Sequence, residues 1–86
     1  MIDVKKIEPG RFSVTVSEEG SSSRHTVSLD EAYYHRLTNG KISEEELIKR
    51  SFDFLLQRES KESILSQFNL KVISTYFPEY EKQISL

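Results

Sequence analysis

Residues Leu47 to Tyr80 read LIKRSFDFLLQRESKESILSQFNLKVISTYFPEY, and their apolar positions recur at helical spacing in three short segments. Leu47, Ile48, Phe52, Leu55 and Leu56 make the first; Ile64, Leu65 and Phe68 the second; Leu70, Ile73, Tyr76 and Phe77 the third, which Pro78 closes. Spacings of three and four line up on one helix face. The second half of the chain is therefore predicted to be a set of packed helices, a pattern that core packing needs and a catalytic site does not.

The boundaries follow from local chemistry. Ser43, Glu44, Glu45 and Glu46 spell a capping box, in which the serine oxygen accepts a backbone N–H and Glu46 reaches back to the serine N–H. Ile42 and Leu47 flank it at hydrophobic-staple spacing, and the glutamates complement the positive end of the helix dipole. This helix is expected over 44–58, with Lys49, Arg50, Asp53 and Gln57 on its wet side. Arg58 and Glu59 fall back toward the apolar arc, so the helix ends there or the pair sits at a packed corner. Ser60 then caps a helix over 61–68, Asn69 breaks it, and a helix over 70–77 stops before Pro78, because the residue preceding a proline disfavours helical backbone. Pro78 opens a last turn in which Tyr80 and Ile84 share a face.

Working back toward the N-terminus, the period changes from helical to two. Phe12, Val14 and Val16 alternate with Ser13, Thr15 and Ser17, and His25, Val27 and Leu29 with Arg24, Thr26 and Ser28. Each is a strand with one core face. The polar run from Glu18 to Ser23 reads as a mobile hairpin loop, and Glu8–Pro9–Gly10–Arg11 as a type II turn after a further strand containing Ile2 and Val4. A helix begins near Asp30, capped by Asp30 or Ser28, with Ala32, Tyr33, Arg36 and Leu37 on one side and Asn39–Gly40 as its stop. The expected architecture is α+β: an antiparallel N-terminal β-meander of two or three strands (1–29) packed by three to four short α-helices (30–86) in a single domain. Its expected core is Phe12, Val14, Val16, Val27, Leu29, Leu37, Leu47, Ile48, Phe52, Leu55, Ile64, Leu65, Phe68, Ile73 and Phe77.

Composition narrows the function classes. A chain of 86 residues fits one domain, with an expected radius of gyration of roughly 12 Å. Only 36% of it is hydrophobic, so a deep pocket would compete with the core for the same side chains. The absence of cysteine excludes disulfides, thiolate metal sites and a cysteine nucleophile, and leans toward a reducing cytoplasm. Met1 to Lys6 mix charged and apolar residues without a signal-peptide core, and no segment approaches the roughly 20 apolar residues that span a bilayer. A cytoplasmic protein with no membrane partner is expected. The net charge of −2, with both signs well mixed, lacks the basic face of a dedicated nucleic-acid binder.

Motifs for chemistry are sparse. His25 and His35 lie on different predicted elements with no third ligand in metal-site spacing. The acids Glu44–Glu46 are accounted for by capping, no serine sits in a Gly-x-Ser-x-Gly elbow, and Gly10, Gly20 and Gly40 are too scattered for a phosphate loop. No catalytic residue, metal or cofactor is expected. Tyr33–Tyr34 and Tyr76–Phe77–Pro78–Glu79–Tyr80 carry an aromatic surplus of the kind enriched at protein interfaces. Because adjacent helical residues cannot both face inward, Tyr34 and Tyr80 are the surface candidates for contact with a protein partner or a second copy. The alternative is a nucleic-acid-binding regulator: the paired helices over 60–78 resemble a helix-turn-helix whose second helix offers Lys71, Ser74 and Thr75.

The string Ser51-Phe52-Asp53-Phe54-Leu55-Leu56-Gln57-Arg58-Glu59, followed by Ile64-Leu65, Phe68-Asn69-Leu70, Ile73 and Tyr76-Phe77-Pro78-Glu79-Tyr80, resembles a small prokaryotic protein family without an assigned role. The strand pair leading into Val27-Ser28-Leu29 fits as well. The resemblance implies a free-standing cytoplasmic domain and brings no activity, cofactor or site residue with it. The sequence thus points to a non-catalytic interaction or regulatory module.

Overall fold

Phe12, Val14 and Val16 lie on the inner face of the strand at the centre of the hairpins, β2 (Arg11–Glu18), and all three are fully buried. In the computed structural model, which describes residues 1–86, β1 (Ile2–Glu8) and β3 (Ser21–Ser28) pair with β2 on either side, both antiparallel. Val4 stands opposite Val14, and Val14 opposite His25, so one face collects the apolar residues of all three strands.

Two tight turns set this register. Pro9–Gly10 links β1 to β2, and Gly10 takes the positive φ of 78° that the predicted type II turn requires. The second connection is shorter than the sequence suggests. Only Glu19 and Gly20 form it, at φ 47° and 81°, while Ser21, Ser22 and Ser23 belong to β3 opposite Glu18, Ser17 and Val16. Positive φ at both central residues marks a type I′ turn, whose twist matches that of the strands and lets the ladder run into a stretch of polar composition.

The second departure from expectation decides the topology. Residues 61–68 form no α-helix. A single 3₁₀ turn, Lys61–Ser63, is followed by extended chain and by β4 (Gln67–Asn69), which pairs parallel to β3 with Phe68 beside Val27. The sheet is four-stranded and mixed, in the order β1-β2-β3-β4, rather than an antiparallel meander of two or three strands. Ile64, Leu65 and Phe68 suit a helix face, but Phe68 and Leu70 also alternate with Gln67 and Asn69, and a run this short does not separate the two periods. The outer edge of β3 tips the balance. It offers the Thr26 N–H to Ser66 O at 2.8 Å and Ser28 O to the Leu70 N–H at 2.9 Å, and buried backbone groups left unpaired are costly.

The helices cover the apolar face. In α1 (Glu31–Thr38) Asp30 occupies the N-cap position without a side-chain bond, and Asn39 ends the helix at φ 54°. In α2 (Glu44–Leu56) the Ser43 oxygen accepts the Glu46 N–H at 3.0 Å, whereas the Glu46 carboxylate turns away to Arg50 at 2.9 Å, so half of the capping box forms. The helix stops at Leu56, before Arg58, whose guanidinium lies 3.6 Å over the Phe54 ring and bonds the Phe54 carbonyl at a packed corner. Two one-turn helices, α3 (Val72–Tyr76) and α4 (Tyr80–Ile84), complete the layer.

One hydrophobic cluster of 17 buried residues fills the space between sheet and helices, and the radius of gyration is 12.1 Å. Phe52 is at its centre, its ring 5.4 Å from His25 and 6.0 Å from Phe68. Tyr33, Phe54, Leu70, Tyr80 and Ile84 join the core beyond the predicted set, Phe68 and Phe77 are only half-buried, and Leu65 is 49% exposed. No helix is long and apolar enough to cross a membrane.

Candidate functional site

The chain that leaves α2 must reach β3 before it can return to the helical layer, and this detour leaves a gap. Leu55 and Glu59 at the end of α2, Ile64 and Leu65 in the extended segment, Phe68 on β4, and Val72, Ile73, Tyr76 and Phe77 around α3 enclose an apolar cleft of about 340 Å³. Adjacent residues of extended chain face opposite ways. Ile64 is accordingly buried and Leu65 stands out at the rim, 49% exposed. Tyr76 flanks the other side, 66% exposed, with no hydrogen bond given to its hydroxyl. Glu59 is the one carboxylate of the lining, and no histidine is part of it. What this surface offers chemically is burial of carbon against Leu65, Phe68, Val72 and Tyr76.

The histidines lie elsewhere. His25 faces the core from β3, 2% exposed, with Nδ1 2.8 Å from the Leu65 carbonyl and Nε2 2.8 Å from the Ser23 hydroxyl. A carbonyl can only accept, so Nδ1 donates to it and Nε2 accepts from Ser23 in the neutral ring. Both nitrogens are committed, and the first of these bonds ties the rim residue Leu65 to β3. His35 is exposed on α1, 3.7 Å from Glu31. No group of three His, Asp or Glu side chains has the spacing of a metal site.

The two tyrosines singled out for contact separate. Tyr80 is fully buried and presents no surface. Its hydroxyl lies 2.6 Å from Ser51 Oγ, which itself donates to the Leu47 carbonyl at 2.8 Å, so the order of donation is Tyr80 to Ser51 to Leu47. Phe54 packs edge-on against it at 5.2 Å. The aromatic surplus around Pro78 suggested a surface position for Tyr80; α4 instead folds under α2 and carries it inward. Burial pushes the Tyr80 phenol above the ordinary tyrosine range. Tyr33 behaves alike: burial and then its hydrogen bond to Glu81, at 2.8 Å, raise its phenol. Tyr34 is half-buried, and its hydroxyl donates to the Ile42 carbonyl across the α1–α2 connection.

Lys71, Ser74 and Thr75 do not form a recognition helix. The element directly before α3 is the strand β4 and not a helix, α3 is only five residues long, and the Ser74 hydroxyl donates to the Lys71 carbonyl at 2.8 Å. Lys71 and Thr75 are exposed and do not line the cleft. The residues that sequence reasoning missed are Leu65, taken as core, and Tyr76, which is counted in the aromatic surplus but not singled out for contact. The neighbouring apolar pair Ile64–Leu65 held a signal, since in extended chain one of them must point out. Nothing local distinguished Tyr76 from Phe77. Compared with family models, curated proteins and solved structures, the chain matches none.

Proposed function

We propose that the protein is a non-catalytic interaction module, self-associating or acting as a small regulatory partner, with the cleft between α2, β4 and α3 as its contact surface. The single observation behind this reading is the pairing of an apolar concavity with two large apolar side chains held at its rim, Leu65 at 49% and Tyr76 at 66% exposure, in a chain whose hydrophobic content is only 36%. Apolar rings at the centre of a concave patch are where protein interfaces concentrate their affinity. The commitment of both His25 nitrogens to protein partners also favours binding over general-base chemistry. The nucleic-acid alternative has lost the helix pair on which it rested. Kinship with the small prokaryotic proteins that the chain resembles belongs to the same proposal and contributes no activity to it.

A photoreactive phenylalanine analogue placed at Tyr76, and in a control at exposed Asp53 on the wet side of α2, tests the reading in living cells. Cross-links to defined proteins are expected from position 76 and not from 53, persisting at high salt and lost when Leu65→Glu is added. Identical products from both positions would discard the module reading. Capture that collapses with salt, as phosphate contacts do, would favour nucleic acid instead.

A further inference from the structure

Resting on the reading of the cleft as a contact surface, we propose that its occupant is a second copy of this chain. β4 pairs antiparallel with β4 of the partner about a two-fold axis through Phe68, so that the two sheets continue as one. The argument begins with the backbone of β4. Its ladder to β3 uses the Ser66 carbonyl, Phe68 and the Leu70 N–H. In such a ladder alternate residues turn the other way. Gln67 and Asn69 therefore direct their N–H and C=O groups outward, where the sheet ends and no backbone partner reaches them.

This edge is complementary to itself. Centred on Phe68, an antiparallel pair sets Gln67 opposite the partner's Asn69 and Asn69 opposite the partner's Gln67. Each pair exchanges both N–H···O bonds, so every outward group of the strand is used. Directly opposed residues share a face. Phe68 of one copy meets Phe68 of the other on the helical side, where both clefts open and where Leu65 and Tyr76 stand exposed. On the opposite face Gln67 lies beside the partner's Asn69, whose Oδ1 accepts its own chain's Lys71 N–H at 3.0 Å, and no charge stands between the two side chains. A strand of three residues gives too short a ladder to hold two molecules by itself. The apolar rim beside it supplies the rest, which is why edge and cleft act as one surface. The contact is isologous and closes at a dimer.

The one guard on β4 is its length of three residues. Edge strands are also commonly protected by charge, proline or a bulge, and Gln67–Asn69 has none of these. An extended segment of a different protein could use the same bonds, and the experiment separates the two.

Sedimentation velocity over a concentration series, joined to residue-resolved amide exchange by NMR on the unaltered chain, is decisive. The expected result is a species of twice the 10.0 kDa chain mass on concentration. The Gln67 and Asn69 amides should gain protection in step with it, while the Leu70 amide, bonded to Ser28, keeps its protection on dilution. Gln67→Pro deletes an outward donor without touching the ladder to β3, and should weaken dimerisation by on the order of a hundredfold, since two donors are lost per dimer. A dimer in which Gln67 and Asn69 exchange equally fast at all concentrations overturns the edge pairing and leaves the interaction module standing, as does self-association abolished by Leu65→Glu but indifferent to Gln67→Pro. A monomer at every concentration overturns the second copy. If position 76 then still cross-links another protein, the module survives with a different partner; if it does not, both readings fall.

Discussion

The two edges of the sheet are built differently. β1, of sequence IDVKKIE, carries Asp3, Lys5, Lys6 and Glu8, and its pairing with β2 slips between Lys6 and Glu8. Lys6 also reaches Glu44 at the start of α2, 3.8 Å away, and Arg11 clasps Glu8 at 2.9 Å. Charge and a bulge are the devices by which natural sheets discourage edge-to-edge association. β4, of sequence QFN, is neutral, and the apolar cleft lies beside it. One sheet thus has a closed end and an open end. The comparison teaches that edge protection is applied strand by strand: charge and a bulge at β1, and at β4 only the shortness of the strand.

The largest test of this contrast is at the residue that joins the helical layer to the open end. Phe52 touches the His25 and Phe68 rings, and Phe52→Ala is expected to reduce unfolding free energy by about 3–5 kcal/mol, read from urea titration. That is a large share of the roughly 5–15 kcal/mol of a typical domain. Near-normal stability would mean that β3 and β4 do not depend on α2.

Alkali probes the anchoring of the helices that both ends share. Tyr80 and Tyr33 are buried with raised phenol pKa values, so the folded state keeps protons that the unfolded chain releases at about pH 10. Their contribution is whole below that pH and is lost as pH rises further. Tyr80 gives a fall of about 1.4 kcal/mol per pH unit above the unfolded value, and Tyr33, whose phenol is partly screened by solvent, adds less. Tyr80→Phe should remove more than half of the slope, and an unchanged slope would show that the Tyr80–Ser51–Leu47 relay does not bury the phenol.

His25→Ala separates the two ends more finely. Loss of the bond to the Leu65 carbonyl is expected to lower stability by about 1–3 kcal/mol, since a buried acceptor is left without its donor. Amide exchange should quicken at Thr26 and Leu70, which flank β4, with little change in β1. Equal acceleration at both ends would remove the idea that this histidine serves the open one. The smallest effect is expected at the closed end. Asp3→Thr with Lys5→Thr, both on the solvent face of β1, should change stability by no more than about 0.5 kcal/mol, yet add self-association through β1 that size-exclusion chromatography can detect. Unaltered behaviour would indicate that the bulge, and not charge, protects that edge.

Much of this architecture was legible before folding was considered in three dimensions. The alternation around Phe12–Val16 and His25–Leu29, the Pro9–Gly10 turn, the stop at Asn39–Gly40 and the start at Ser43 are local signals, and each is met within a few residues of where it is written. The cleft was not legible in this way. Its rim residues Leu65 and Tyr76 belong by spacing to a core face, and they stand outside because Ser66 and Leu70 are drawn to β3.

By itself, then, the sequence determined the strand pair and the capped helix, because turn chemistry, capping and hydrophobic period act over a few neighbours. Only the tertiary structure decided that residues 67–69 are a parallel edge strand, that Tyr80 is interior and that Leu65 is exposed. Those outcomes depend on pairings across some 40 residues of chain, such as His25 with Leu65. There the need to satisfy the outer edge of β3 outweighs a helical preference spread over only a few side chains.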